Sequence, residues 1–223
     1  MNAPGGILTG MHLHTEELEA GPWENVDDGG LAAVLRRLLP NERAVLLVDG
    51  RSGSGKSTFA DRAARLLQGA VVHTDDLAWH HDATAWDDLA VDHVIEPWLR
   101  GEAIRYRPPG WVAKGREGDV SVPDGVRVLV LEGVGAGRAS IADHADAVVW
   151  VQSDRDLARE RGLARDVELG RTRAEAEAFW DEWMLAEEPF LAADRPWERA
   201  ALIVNGAAQA SAATASISTS WSA

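Results

Sequence analysis

The sequence predicts an α/β protein of three layers, a parallel β-sheet with helices on both faces. Three observations carry this. Short apolar runs without polar alternation recur at residues 44–48, 70–74, 126–131, 147–151 and 201–204, the pattern of strands buried on both faces. Helix-prone stretches separate them, as crossover connections in a parallel sheet require. Polar or glycine residues close the runs, at Gly50, Asp75, Glu132, Gln152 and Asn205, and ligands in such sheets bind at the carboxyl ends of the strands.

Taken in order, residues 1–28 contain Gly, Glu and Pro without a period and predict a mobile or loosely docked arm. Residues 31–39, LAAVLRRLL, predict a short amphipathic helix that Pro40-Asn41 stops. A strand over 44–49 leads through a Gly-rich loop to a helix over 57–67. The strand 70–74 ends at Asp75-Asp76. Residues 87–100 read as a helix that tolerates or kinks at Pro97. Two short strands, 103–107 and 119–122, flank a loop at Pro108-Pro109-Gly110-Trp111. The strand 126–131 ends at Glu132-Gly133, and another covers 147–151. Helices are expected over 154–169 and 172–191, then a last strand over 201–204. The Ala/Ser/Thr-rich stretch 207–223 reads as a low-complexity, disordered tail. The expected organisation is therefore an arm (1–30), one catalytic domain (31–206) and a tail (207–223).

Composition narrows the classes. A chain of 223 residues, 46% hydrophobic, suits one large domain. No apolar run approaches the roughly 18 residues that span a bilayer, and the first ten residues lack a basic stretch followed by an apolar core. Cysteine is absent, which excludes disulfides, thiolate zinc sites and cysteine nucleophiles and fits a reducing, cytoplasmic location. The net charge of −14 argues against a nucleic-acid partner. The ten tryptophans outnumber three Phe and one Tyr; Trp79, Trp86 and Trp111, in polar or Pro- and His-rich surroundings, are the ones expected near a ligand, against core packing as the alternative.

Residues Gly50-Arg51-Ser52-Gly53-Ser54-Gly55-Lys56-Ser57 spell G-x-x-x-x-G-K-S, the phosphate-binding loop of nucleoside triphosphatases. Strand, loop and helix follow one another as that motif requires, so the fold expected is the three-layer P-loop NTPase fold. Glycines let several N–H groups converge on one phosphate, and the helix start adds its positive dipole end. The expected nucleotide contacts are Gly50, Ser52, Gly53, Ser54, Gly55, Lys56, Ser57 and Thr58, joined by Arg171 and Asn205. Lys56 reaches the β- and γ-phosphates, and Ser57 ligates Mg²⁺. The cofactors expected are ATP and Mg²⁺.

Asp75 at a strand end can take a proton from an acceptor hydroxyl; the alternative for Asp75 and Asp76 is capping a helix. The neighbouring His73, His80 and His81 have no spacing that ties them to one metal. Glu132, beside the loop, is the candidate for polarising Mg²⁺-bound water, with Asp49 as competitor and a structural pairing as the alternative. The densest basic segment runs from Arg155 to Arg173. Arg161, Arg165 and Arg171 are expected to close over phosphates, since the guanidinium fork matches phosphate oxygens; the alternative is a solvated face paired with Glu160, Asp166 and Glu168.

The loop GRSGSGKS, the strand-end DD, the strand-end EG and the segment ARERGLARDVELGR together resemble the uridine kinase-like branch of the P-loop kinases, over roughly residues 44–206. The resemblance implies an Arg-rich helical lid, Asp75 as catalytic base, Ser57 and Glu132 at Mg²⁺, and charge stabilisation by Arg161 and Arg165. It implies sugar-hydroxyl binding by Asp87. The substrate half departs from the family: Tyr106-Arg107-Pro108-Pro109-Gly110-Trp111 and Lys114 stand where an aromatic stretch and a His are expected. Arg107 and Trp111 are the substrate-side candidates, and uridine and cytidine are expected to be poor acceptors. The expected activity is transfer of the γ-phosphate of ATP to a hydroxyl of a small molecule. A nucleoside monophosphate kinase using Arg105, Arg107 and Arg116, and a regulatory nucleotide-binding module, are the alternatives. The expected partners are a nucleotide and a small-molecule acceptor, with no membrane; oligomeric state is left open.

Overall fold

A computed structural model describes residues 11–210 and 214–221. Its centre is a seven-stranded sheet of order β1-β9-β8-β7-β2-β6-β3. The strands are β1 (Glu24–Asp27), β2 (Ala44–Gly50), β3 (Ala70–His73), β6 (Val128–Glu132), β7 (Ala147–Gln152), β8 (Leu202–Asn205) and β9 (Thr214–Ser218). The five strands from β3 to β8 run parallel. β9 and β1 add antiparallel strands at one edge. A separate antiparallel pair is formed by β4 (Ile104–Tyr106) and β5 (Val120–Val122).

Successive residues of β2 serve the two faces in turn, as the period of a strand dictates. Leu46 and Val48 join Leu31, Leu35, Phe59 and Ala63 from α1 (Asp28–Leu38) and α2 (Lys56–Leu67). Val45 and Leu47 join a second core with Leu77 of α3 (Thr74–Ala78), Trp86, Ile95, Trp98 and Ile141 of α7 (Ala139–Ala142). The three-layer expectation holds.

The helix expected over 87–100 consists of α4 (Asp87–Ala90), a π-helical turn (Val91–Ile95) and α5 (Glu96–Leu99). Glu96 N–H reaches back to Val91 O in the widened turn just ahead of Pro97, which has no N–H to offer. Helices α8 (Arg155–Glu168) and α9 (Arg173–Asp194) pack on each other and carry the basic segment. Thr172 caps α9 with a reciprocal Glu175 interaction.

Three expectations are corrected. The Pro108–Trp111 segment is not a loop: Pro109 opens α6 (Pro109–Lys114), its fixed φ suiting a first helical turn. The arm expected over 1–30 is structured where it is described. Residues 24–27 form β1, Asp27 caps α1, and Glu17 and Ala20 are buried against the end of β7; residues 1–10 lie outside the described residues. The tail expected over 207–223 supplies β9, whose Ala215 and Ile217 are buried; residues 211–213 and 222–223 lie outside the described residues.

Candidate active site

The loop between β2 and α2 lies at the carboxyl end of the parallel strands. Gly53 and Gly55 have φ of +75° and +96°. A Cβ on Gly53 would lie 1.9 Å from Ala158 O, so α8 packs directly on the loop. Gly206, after β8, presses on the loop from the other side, where a Cβ would lie 1.9 Å from Ser54 O.

Ser57 Oγ donates to Glu132 Oε1 at 3.0 Å, and His73 Nδ1 lies 2.6 Å from Glu132 Oε2. Glu132 is buried. Contact with His73, Lys56 and Ser57 outweighs its burial and holds its carboxyl below the usual range. Hydroxyl and carboxylate oxygens side by side are the hard donors that Mg²⁺ takes. Among the described residues no cluster of three or more His, Cys, Asp or Glu side chains is built to hold a metal. Asp49 is excluded from this role: it is fully buried and accepts from the N–H groups of Gly50, Gly135 and Gly137 at 2.7–2.9 Å. Burial pushes its carboxyl up to about 6 against those three hydrogen bonds.

A cavity of about 410 Å³ opens beside the loop. It is lined at once by Lys56, Asp75 and Arg165, and its walls carry Trp79, His80, Phe179, Trp180 and Trp183. Asp75 and Asp76 part company here. Asp75 faces the cavity, whereas Asp76 pairs with Arg116 at 2.8 Å and takes the Trp111 indole N–H on its carbonyl.

The lid arginines are ordered by a buried acid. Asp166 bonds Arg165 at 3.1 Å and Arg171 at 3.2 Å, and Arg171 lies 4.0 Å over the ring of Phe179. Arg161 Nη1 donates to Gly206 O at 3.0 Å, bridging α8 to the turn after β8. Asn205 caps that turn, its Oδ1 accepting from Ala207 and Ala208 N–H. Thr58 is exposed on the first turn of α2.

Several candidates lie elsewhere. Trp111 is 5% exposed, hydrogen-bonded and stacked under Arg116 at 3.6 Å, which makes it core rather than a substrate wall. Trp86 is also core, under Arg138 at 4.2 Å. Asp87 bonds Ser140 and Arg138 and does not line the cavity. Arg107 donates to Arg116 O, and Arg105 pairs with Asp119. None of Arg105, Arg107 and Arg116 lines the cavity.

Two functional candidates were not singled out from sequence. Glu187 of α9, 2% exposed, accepts from Ser52 N–H at 3.1 Å. Glu17 accepts from Arg51 Nε, Trp150 Nε1 and Gln152 Nε2 at 2.7–3.1 Å. The Trp183–Glu187 spacing of one helical turn is the only signal the sequence offered for either.

The fold and this site define the class: the chain has the fold of the P-loop kinases. A putative fructose transport system kinase from Silicibacter sp. TM1040 is similar with a TM-score of 0.55 at 18% identity, covering 78% of this chain and 95% of that one. The YGR205w protein is similar with a TM-score of 0.50 at 14% identity, covering 86% and 96%. A possible uridine kinase from Bacillus stearothermophilus aligns at 0.45 and 19% identity, covering 79% and 96%. No family model and no curated protein sequence matches the chain. Among the described residues no helix is long and apolar enough to cross a membrane.

Proposed function

We propose that this protein transfers the γ-phosphate of ATP to a hydroxyl group of an uncharged small molecule with a flat apolar face. The observation that carries the reading is one cavity lined by both Lys56 and Asp75 and walled by aromatic side chains. The N–H groups of Gly53 and Gly55 and the start of α2 cradle phosphate. Lys56, Arg161 and Arg165 balance charge as the phosphoryl group moves. Asp75 accepts the proton of the acceptor hydroxyl and aligns its oxygen. Ser57 and Glu132 hold Mg²⁺, which neutralises phosphate charge when bound. Asp166 fixes the lid arginines; Arg171 and Asn205 act by shaping the nucleotide side.

The acceptor class follows from what lines the cavity. An acceptor carrying its own phosphate needs basic side chains of its own, and Arg105, Arg107 and Arg116 are engaged elsewhere. That argues against a nucleoside monophosphate kinase. A regulatory nucleotide-binding module has no use for a carboxylate and an aromatic-walled cavity next to Lys56.

The test is ADP release from ATP–Mg²⁺ against a panel of alcohols, sugars, nucleosides and nucleoside monophosphates. Turnover that rises only with uncharged hydroxyl compounds bearing a ring supports the reading. Turnover specific to nucleoside monophosphates, or indifferent to every acceptor, defeats it.

A further inference from the structure

The third residue of the phosphate-binding loop is already occupied by a carboxylate of the same chain. Ser52 N–H donates to both oxygens of Glu187, at 3.1 and 3.3 Å. The indole of Trp183 donates to Glu187 Oε2 at 2.7 Å and to Ser52 Oγ at 2.9 Å. Glu187 is buried at 2% exposure, so these bonds are not traded with solvent. The other donors of the loop behave differently. Ser54 N–H turns back to Arg51 O, while the N–H groups of Gly53 and Gly55 donate to no protein acceptor among the described residues.

A buried carboxylate on a loop N–H is chemically what a phosphate oxygen is: an anionic acceptor of a charge-assisted hydrogen bond. We propose that Glu187 is a positioning residue that stands in for phosphate at Ser52. It confines the nucleotide's phosphates to the donors of Gly53, Gly55, Lys56 and Ser57, which are free among the described residues. It also places a fixed negative charge beside the polyphosphate and so weakens nucleotide binding. In return it ties the loop to Trp183, which lines the acceptor cavity, so that loop and acceptor wall keep one register. The expected consequence is unusual for a buried loop contact: removing it tightens the binding of polyphosphate. This rests on the proposal that the loop binds ATP.

The experiment is calorimetric binding of ATP–Mg²⁺ and of AMP to the full chain, for wild type, Glu187→Ala and Glu187→Gln. Glu187→Ala frees the Ser52 donor and removes the charge, and ATP is expected to bind about three- to tenfold tighter. Glu187→Gln keeps an acceptor oxygen on Ser52 and removes only the charge, so its gain is smaller. AMP, with no phosphate to reach Ser52, shifts by less than about twofold in both. ATP binding that is unchanged or weaker in Glu187→Ala overturns the inference, as does equal tightening for ATP and AMP. In either case ATP binding by the wild-type protein leaves the proposed activity standing. A wild-type protein that binds no ATP overturns both.

Discussion

Asp75 and Asp76 are adjacent in sequence, yet one opens into the Lys56 cavity and the other is locked to Arg116. The first turn of α3 separates them: side chains one residue apart on a helix do not share a face. The pair therefore divides between chemistry and packing.

Substituting each in turn reads out that division. Asp75→Asn keeps the shape and loses the proton acceptor, so acceptor-dependent turnover should fall by about 100-fold or more with ATP affinity retained. Asp76→Asn breaks a half-exposed ion pair and should cost about 1 kcal/mol or less, with turnover near wild type. Steady-state kinetics and thermal unfolding of the two variants check both; a larger kinetic loss in Asp76→Asn would move the base by one position.

Lys56→Ala should lower turnover by at least about 100-fold, roughly 3 kcal/mol of transition-state stabilisation. The melting temperature should hardly change, because a cation at the cavity wall contributes to bound phosphate and not to a core. Single-turnover measurements with saturating ATP–Mg²⁺ decide it.

Trp111→Ala should act on stability rather than specificity. It removes a buried indole, its hydrogen bond to Asp76 O and the platform under Arg116, at a cost of about 3–5 kcal/mol. A denaturant titration measures the loss. An altered ranking of acceptors with unaltered stability would contradict the core assignment.

Acid should loosen the segment around His14. Burial, then the charges of Arg51, Arg155 and His12, lower its pKa from 6.5 to about 4. A folded-state pKa below the unfolded value means that the unfolded chain binds more protons between these limits. Stability is then fully present above about pH 6.5 and is lost as pH falls toward 4. After allowing for solvent screening the loss is about 1–2 kcal/mol. His14→Gln should flatten the difference between melting temperatures at pH 7 and pH 5; identical slopes in the two proteins would refute it.

The sequence made the inner sheet legible because strands buried on both faces leave unbroken apolar runs, as in Val128–Glu132. The loop was legible because its glycines and Lys56 are consecutive. The edge was not: ENVD in β1 and TASIS in β9 alternate or are polar, and nothing in them distinguishes a strand from a solvated tail. Asp75, Lys56 and Arg165 come together because strand ends and the α8 lid converge, and their order along the chain anticipates it. Trp111 and Asp87 misled because a tryptophan among prolines and an acid at a helix start look alike whether they meet ligand or protein. Glu17 carried no signal because its partners lie 34, 133 and 135 residues away, and beyond its spacing to Trp183 nothing tied Glu187 to Ser52, 135 residues away.

β9 follows all the other strands in sequence yet lies inside the sheet, between β8 and β1. Among the described residues β1 pairs with no strand but β9, so loss of β9 leaves β1 without a partner in the sheet. Loss of residues 214–221 would strip the outer side of β8, an apolar strand whose unpaired N–H and C=O groups would then face outward. A chain shortened there should accordingly appear as intermolecular β-assembly and loss of soluble material on expression, even though every residue around the phosphate-binding loop is intact.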